Sequence, residues 1–486
     1  MQKRLLALFL MALPAFAQPV FTHVFPPEEF AARRAKVMHE IGDAVAIVLG
    51  TTETPGETPL RQNNQFHYLC GVVEPRAVLV IDGKTKRTTL FLNPRNVQRE
   101  TSAYGPGLYP GPEAAKSEGV DAALDRAEFP AFVKALAAEK RTIFTPHRAE
   151  VLGSVSQGDP DRLWANNKSD PFDGRASREE VFRAKLAEAA PNSKIQDLDP
   201  ILNALRAIKS PREIAVIREA TRIAGLGIME AMRDAKPGLT EYELQADAEF
   251  VFKKYGAFGA SYFALIATGR NTYYTHYHRN TATLQDGDLV QFDYAPDFKN
   301  YQADVTRVFP ANGKFTPWQR EYYEIYRKLY QAVIASIRPH ITPAEVLQTA
   351  VKKMDQTMAT YKFTDERIRG AAKAFVERYR TQSMSPRANL GHTVGLEVHD
   401  VRRLSPTLEP GEIFTIEPEM RIEDLHLGMR FEDMLLITET GVENLSAFVP
   451  MEIADIEKLM ADRKHSLGTA HGTLHQSTPP THPSGK

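Results

Sequence analysis

Cysteine is almost absent from this 486-residue chain, in which Cys70 is the single example. One cysteine excludes an internal disulfide framework. Cys70 directly follows the largely aromatic and apolar run 66–69. In that setting a small buried hydrophobe is a better interpretation than a reactive thiol.

An excess of charge of one sign is also missing. Lys and Arg number 60, Asp and Glu number 61, and the formal net charge is −1. A chain with this balance does not attract a polyanion, so we exclude nucleic acid as a partner. We also predict no membrane span, because the apolar run 5–13 is shorter than the roughly 20 residues that a spanning helix needs.

The two ends of the chain differ in composition from the rest. Lys3 and Arg4 precede the apolar run, and 15–17 is a small-residue cleavage site, so we predict a signal peptide over 1–17. Cleavage near Ala17 would export the protein to the periplasm or the medium; a buried N-terminal helix is the alternative. Residues 464–486 combine Ser, Thr, Gly and Pro with histidines, which predicts a disordered tail.

The region 18–195 alternates predicted helices and strands, which is typical of a mixed α/β domain. We predict helices at 28–42, 128–139 and 178–188, and strands at 44–49, 77–81 and 88–92. A further strand is predicted where the polar run 61–65 leads into aromatic residues. The boundary to the next domain is expected in the polar stretch 190–199.

The region 196–463 contains four helix starts with capping boxes, at Ser210, Thr240, Thr316 and Thr342. The starts form two pairs at similar intervals. Each pair is followed by a segment that bears a histidine and then by two strands that carry acids. We therefore expect two similar α-α-β-β halves facing one another.

Four acids stand among apolar or β-branched neighbours of these strands: Asp293, Asp304, Glu417 and Glu432. Desolvating an unpaired carboxylate costs several kcal/mol, so each requires a cation. A salt bridge to arginine would explain one of them. Four such acids, with His392 between the two strand pairs, instead form a ligand set for two divalent ions.

The order and spacing of these five residues resemble the metal-dependent aminopeptidase P and prolidase family of the pita-bread fold. The run Arg61-Gln62-Asn63 ahead of an aromatic segment is similar to the N-terminal domain of aminopeptidase P. The resemblance implies an α/β (α+β) protein with an N-terminal mixed α/β domain and a C-terminal pita-bread domain. It also implies a homo-oligomer.

The resemblance implies a role for each ligand. Asp304 and Glu432 would bridge the two metals, Asp293 would complete one ion, and His392 with Glu417 would complete the other. A hydroxide shared by the metals would attack the peptide, with Glu417 accepting the proton. An oxygen-rich set favours Mn²⁺, with Co²⁺, Zn²⁺ and Fe²⁺ as alternatives.

Two further histidines match positions of the family outside the ligand set. His276 precedes the strands that carry Asp293 and Asp304, and His399 follows the ligand histidine. Both are expected to donate hydrogen bonds to the substrate during attack. Arg430 lies two residues before Glu432, so the two share a strand face, and it is expected to pair with the ligands. Thr306, two residues after Asp304, is expected to contact the ligands from the same strand.

The sequence departs from the family at two positions. Relatives usually carry a histidine where this chain has Ala388, and often an aromatic residue where it has Arg421. The missing imidazole would normally touch substrate. We therefore expect a change in turnover, substrate preference or pH optimum, with the five ligands untouched.

The sequence thus predicts an exported dinuclear metallo-exopeptidase that removes the N-terminal residue from peptides whose second residue is proline. The near alternative is a prolidase restricted to Xaa-Pro dipeptides. A different class comprises metal-free binding modules of this fold and creatinase-like hydrolases, which replace the carboxylate ligands. The expected partners are proline-containing peptides.

Overall fold

A computed structural model describes residues 24–53, 59–105, 107–151, 156 and 158–462. The predicted signal peptide and tail lie outside these residues. The chain divides into two compact units: one runs up to Phe144 and includes Leu186–Gln196, and the other comprises Thr145–Lys185 and the chain from Asp197. None of the described helices is both long and apolar enough to cross a membrane.

The first unit is built on a mixed sheet. Its elements up to Thr145 are α1 (Pro27–Ile41), β1 (Val45–Leu49), α2 (Asn64–Cys70), β2 (Val78–Asp82), β3 (Arg87–Leu92), α3 (Val97–Arg99), α4 (Pro112–Ser117), β4 (Ala122–Asp125), α5 (Phe129–Ala138) and β5 (Ile143–Thr145). The strand order is β4-β3-β2-β1-β5, continued by a sixth strand, 195–197. Pairs β1–β2 and β2–β3 are antiparallel, whereas β3–β4 and β1–β5 are parallel. The expected mixed α/β architecture is confirmed.

One predicted strand of this unit is wrong. The aromatic segment forms the buried helix α2. The Asn63 side chain caps its start by accepting the Phe66 N–H at 3.1 Å, and Gly71 ends it in the left-handed conformation at φ 70°. Aromatic residues favour strands in general, but here the cap residues decide. Cys70 is buried, and burial raises the pKa of its thiol to about 12, as expected of a structural residue.

The chain beyond Thr145 contains most of the helices. Its elements are α6 (Gly158–Ser169), α7 (Arg178–Ala189), β6 (Ile195–Asp197), α8 (Asp199–Ala207), α9 (Pro211–Asp234), α10 (Glu241–Lys254), β7 (Gly259–Ala260), β8 (Leu265–Thr268), β9 (Leu289–Asp293), β10 (Pro296–Asp297), β11 (Thr306–Pro310), α11 (Pro317–Ile334), α12 (Pro343–Thr360), α13 (Glu366–Ser383), β12 (Ile413–Ile416), β13 (Glu419–Ile422), β14 (Leu427–Arg430), β15 (Asp433–Ile437), β16 (Val442–Asn444) and α14 (Ile453–Ala461).

The four predicted capping boxes begin α9, α10, α11 and α12. In α11, for example, the Thr316 hydroxyl accepts the Gln319 N–H at 3.2 Å, and the Gln319 side chain accepts the Thr316 N–H at 2.9 Å. Each cap stabilises its helix by about 1 kcal/mol. Sequence therefore sets where these helices start.

The strands of the second unit form two half-structures. In the first half β9 pairs with β8 and β11, and in the second β15 pairs with β12 and β16. A backbone bridge joins the halves: Thr306 N–H donates to Glu432 O at 3.3 Å and Glu432 N–H donates to Thr306 O at 3.1 Å. The second half carries an additional helix, α13. The two-half architecture brings both acid-bearing strand pairs to one place.

Candidate metal centre

The four acids lie where strands end or break. Asp293 is the last residue of β9, and Asp304 lies two residues before β11, which begins at Thr306. Glu417 follows β12 directly, ahead of Pro418, whose ring removes a backbone donor and interrupts pairing. Glu432 lies between β14 and β15.

His392 gathers three of these acids. Its Nε2 lies 3.5 Å from Asp304 Oδ2, 3.3 Å from Glu417 Oε1 and 3.9 Å from Glu432 Oε1. Asp293 joins them through Tyr262, whose hydroxyl lies 2.6 Å from both Asp293 Oδ1 and Asp304 Oδ1. The structure thus brings all five predicted ligands together.

Burial makes this cluster electrostatically unusual. Asp293 is 2% exposed, Asp304 6% and Glu432 1%. Burial and then the neighbouring carboxylates raise the pKa of Glu432 to about 7, and for the same reasons the pKa of Asp304 is raised well above its usual value. Burial opposes ionisation of Glu417 too, but the hydrogen bond with His392 and the charge of Arg430 lower its pKa to about 2.

The cationic partner that sequence analysis expected is in place. The Arg430 guanidinium is buried, pairs with Asp293 and lies 3.4 Å from Glu417 Oε2. One guanidinium and one imidazole cannot neutralise four clustered carboxylates. Carboxylate oxygens and an imidazole nitrogen are donors that divalent ions prefer, and the oxygens and nitrogen of Asp304, His392 and Glu432 lie within 4.8 Å of one another. These residues fit divalent metal ions.

Hydroxyl groups orient the buried carboxylates. Thr306 donates to Glu432 Oε2 at 2.8 Å, and Thr415 donates to Glu432 Oε1 at 2.6 Å. Thr306 was expected near the ligands, whereas Thr415 and Tyr262 were missed. Thr415 could have been found, because it lies two residues before Glu417 on a strand and so on the same face. No sequence signal marks Tyr262.

The two candidate catalytic histidines differ in position. His399 lies with its ring centroid 4.0 Å from that of His392, and its Nδ1 is 2.6 Å from the Ser156 hydroxyl. Burial and then the charge of His392 lower the pKa of His399 to about 4. His276 is exposed on the wall of the same cavity, and the neighbouring His278 is exposed and packs against a phenylalanine ring.

The cluster opens into a cavity of about 1480 Å³. Four of the five ligands contribute to its lining: Asp293, Asp304, His392 and Glu417. A second pocket of about 310 Å³ shares His276 and Glu417 with it. The main volume exceeds that of a typical small-molecule site, which is about 300 to 1,000 Å³.

Both departures from the family pattern lie close to this site. Ala388 lines the main cavity. Arg421 Nη2 lies 2.6 Å from Glu419 Oε2 and donates to the Thr275 hydroxyl at 2.5 Å, and Thr275 and Glu419 line the smaller pocket. An arginine at this position therefore extends the polar character of the pocket wall.

Comparisons with known sequences agree with this geometry. Residues 215–439 match the model of metallopeptidase family M24, and residues 30–144 match the aminopeptidase P N-terminal domain. The Xaa-Pro aminopeptidase of Escherichia coli K12 is 32% identical over 457 residues, covering 89% of this chain and 97% of the relative. That of Haemophilus influenzae is 31% identical over 458 residues, covering 90% and 97%.

Solved structures give the same result. A variant of E. coli aminopeptidase P superimposes with a TM-score of 0.70 at 28% identity, covering 90% of this chain and 99% of the other. Proline aminopeptidase P II from Yersinia pestis gives a TM-score of 0.69 at 29% identity, covering 90% and 100%. The expected fold class and the expected metallo-exopeptidase class are confirmed. This chain belongs to the Xaa-Pro aminopeptidase family, with an aminopeptidase P N-terminal domain followed by an M24 metallopeptidase domain.

Proposed function

We propose that this protein is an exported dinuclear aminopeptidase that hydrolyses the first peptide bond of chains with proline in the second position. The observation that carries the proposal is the convergence of the five ligands beneath a peptide-sized cavity. Relatives that share nearly the whole chain are named for this activity.

The five ligands would together hold two divalent ions. Asp304 and Glu432 would be shared, Asp293 would complete one ion, and His392 with Glu417 the other; Mn²⁺ is our first choice. When bound, the ions acidify water enough to supply a shared hydroxide nucleophile at neutral pH. The buried carboxylates that this requires already stand together.

The other residues act on protons and substrate. Glu417, held by Arg430 and by the His392 imidazole, accepts the proton released on attack. His276 and His399 donate to the carbonyl oxygen and to the departing proline nitrogen. Ordinary peptidases bind the backbone N–H of the substrate, which proline lacks. Here the two histidines would hold the substrate instead.

Export and assembly are part of the proposal. The basic residues Lys3 and Arg4, the short apolar run and the cleavage site at 15–17 support delivery to the periplasm or medium. We propose a homo-oligomer in solution. Fractionation of cells that express the full chain, with N-terminal sequencing of the product, tests for cleavage near Ala17.

A prolidase is the second candidate, because Xaa-Pro dipeptidases are also relatives, at 26% identity. The cavity volume favours longer peptides. Assays of an Arg-Pro-Pro tripeptide against Gly-Pro separate the two activities. Cleavage of the dipeptide alone would identify a prolidase.

The direct test uses Mn²⁺-supplemented protein and a panel of proline-containing peptides, with Asp304→Ala as the variant. We expect the variant to lose at least one equivalent of bound metal and nearly all activity, because Asp304 contributes to both ions. Stoichiometric metal that remains bound after dialysis would exclude a metal-free binding module. Full activity of Asp304→Ala is incompatible with the proposed mechanism.

A further inference from the structure

A segment that precedes the M24 match contributes a hydroxyl group to the catalytic cavity. Residues Thr145–Lys185 belong to the second unit. Within them Ser156 lines the cavity, as do residues at the start of α6. Ser156 Oγ lies 2.6 Å from Nδ1 of His399, a short hydrogen bond between side chains 243 positions apart.

Two residues of the same segment, both ahead of Ser156, bond to other parts of the second unit. The backbone N–H groups of His147 and Arg148 both donate to Asp199 Oδ2 at 2.8 Å. The Arg148 guanidinium lies 3.3 Å from Glu397 Oε1, and Glu397 is two residues before His399. Arg148 therefore ties the start of this segment to the stretch of backbone that leads to His399.

A neutral imidazole carries one N–H, and the partner of Nδ1 decides which nitrogen holds it. The hydroxyl of Ser156 can donate to an unprotonated Nδ1, which leaves the proton on Nε2. The ring of His399 stands beside His392, and a ring nitrogen of His399 lies within 4.8 Å of ligand atoms of His392 and Glu417. Because Ser156 occupies Nδ1, a proton on Nε2 is the one that His399 can donate to a substrate in the cavity.

We propose that Ser156 is a positioning residue for catalysis: by donating to Nδ1 it fixes His399 in the Nε2–H tautomer, which donates a hydrogen bond to the substrate. This inference rests on the proposed function, because it assumes that His399 contacts substrate. Without the hydroxyl, the ring exchanges between tautomers and rotates, so the donor is present for only part of the time.

The first test compares Ser156→Ala with Ser156→Thr in the metal-loaded enzyme. We expect Ser156→Ala to lower kcat roughly 10-fold, the lower end of the 10- to 100-fold loss seen when the orienting partner of a metal-ligating histidine is removed. KM and metal content should stay unchanged, and Ser156→Thr, which keeps the hydroxyl, should recover most of kcat. Ser169→Ala is the matched control, since the Ser169 hydroxyl bonds within α6.

A double-variant cycle shows whether Ser156 acts through His399. Adding Ser156→Ala to His399→Ala should cause no further loss of kcat, because the orienting hydroxyl then has nothing to orient. Full kcat in Ser156→Ala, or losses that multiply in the double variant, would overturn the inference. If wild-type protein cleaves no Xaa-Pro peptide, the proposed function fails instead, so the two failures are distinguishable.

A readout without turnover completes the test. Selective ¹⁵N labelling of histidine in the metal-free protein, with His399 assigned by its loss in His399→Ala, reports which ring nitrogen is protonated. We expect an Nε2–H signal in wild type and in Ser156→Thr, and averaged tautomer signals in Ser156→Ala. An Nδ1–H signal for wild-type His399 would contradict the assignment.

Discussion

Tyr262 holds one hydroxyl proton yet lies 2.6 Å from an oxygen of each of Asp293 and Asp304. It can donate to one of them at a time, so the second contact needs a proton from a carboxyl group. The raised pKa of Asp304, due to burial and then to neighbouring carboxylates, makes such a proton available. The phenol thus links the two acids through one hydrogen bond that it donates and one that it accepts.

Replacing this phenol should weaken metal binding. We expect Tyr262→Phe to bind divalent metal roughly 10-fold more weakly, because Asp293 and Asp304 lose the group that orients them. Titration of the dialysed protein with Mn²⁺ measures the change. Tyr294→Phe is the matched control: Tyr294 is a buried neighbour of Tyr262, but its hydroxyl donates to Glu249 at 2.7 Å. Equal weakening in both variants would indicate a general packing effect.

At the scale of elements, the residues that start the helices of the second unit are different from those that position the metal ligands. Its long helices begin at capping boxes that are local in sequence. Its acids lie at the ends of strands or between strands, where the backbone hydrogen bonds of the sheet are interrupted. Helix stability and ligand geometry should therefore respond to different substitutions.

The cap of α11 tests this separation. We expect Thr316→Ala to lower the free energy of unfolding by about 1 kcal/mol, because the Gln319 N–H loses its acceptor. The midpoint of denaturant unfolding measures the loss. Activity per folded molecule should be unchanged, and Thr316→Ser should unfold like wild type. A loss of activity without a loss of stability would contradict the separation.

At the scale of the whole molecule, the buried acids make the metal-free protein sensitive to pH. Burial, and then Glu417 and Asp293, raise the pKa of Glu432 from 4.5 to about 7. Between these values the folded state holds a proton that the unfolded state has lost. This contribution to stability is therefore complete below pH 4.5 and is lost as pH rises to 7.

Glu432→Gln removes that contribution, whereas the other titratable side chains are common to both proteins. In the absence of metal we expect the variant to gain stability relative to wild type, by up to roughly 3 kcal/mol, between pH 4.5 and 7. Thermal unfolding at a series of pH values measures the difference. A difference that is independent of pH would show that Glu432 is not titrating abnormally. Saturating Mn²⁺ should abolish the trend in wild type.

Local signals account for what was predicted well. The four helix starts and the mixed first-unit sheet follow from capping residues and from alternation within short windows. The aromatic segment of α2 was predicted wrongly, because its residues favour strands in general but the cap formed by Asn63 starts a helix. The extra helix α13 was also not anticipated.

The sequence by itself determined the chemistry: four acids and a histidine of the right types, each embedded in an apolar strand region where a carboxylate cannot remain without a cation. Only the tertiary structure decided which side chains serve them. Tyr262 and Ser156 reach the site from distant segments, and a hydrogen bond across such a separation depends on how the whole chain folds. Ligand identity is a property of residues, whereas ligand orientation is a property of the packed fold.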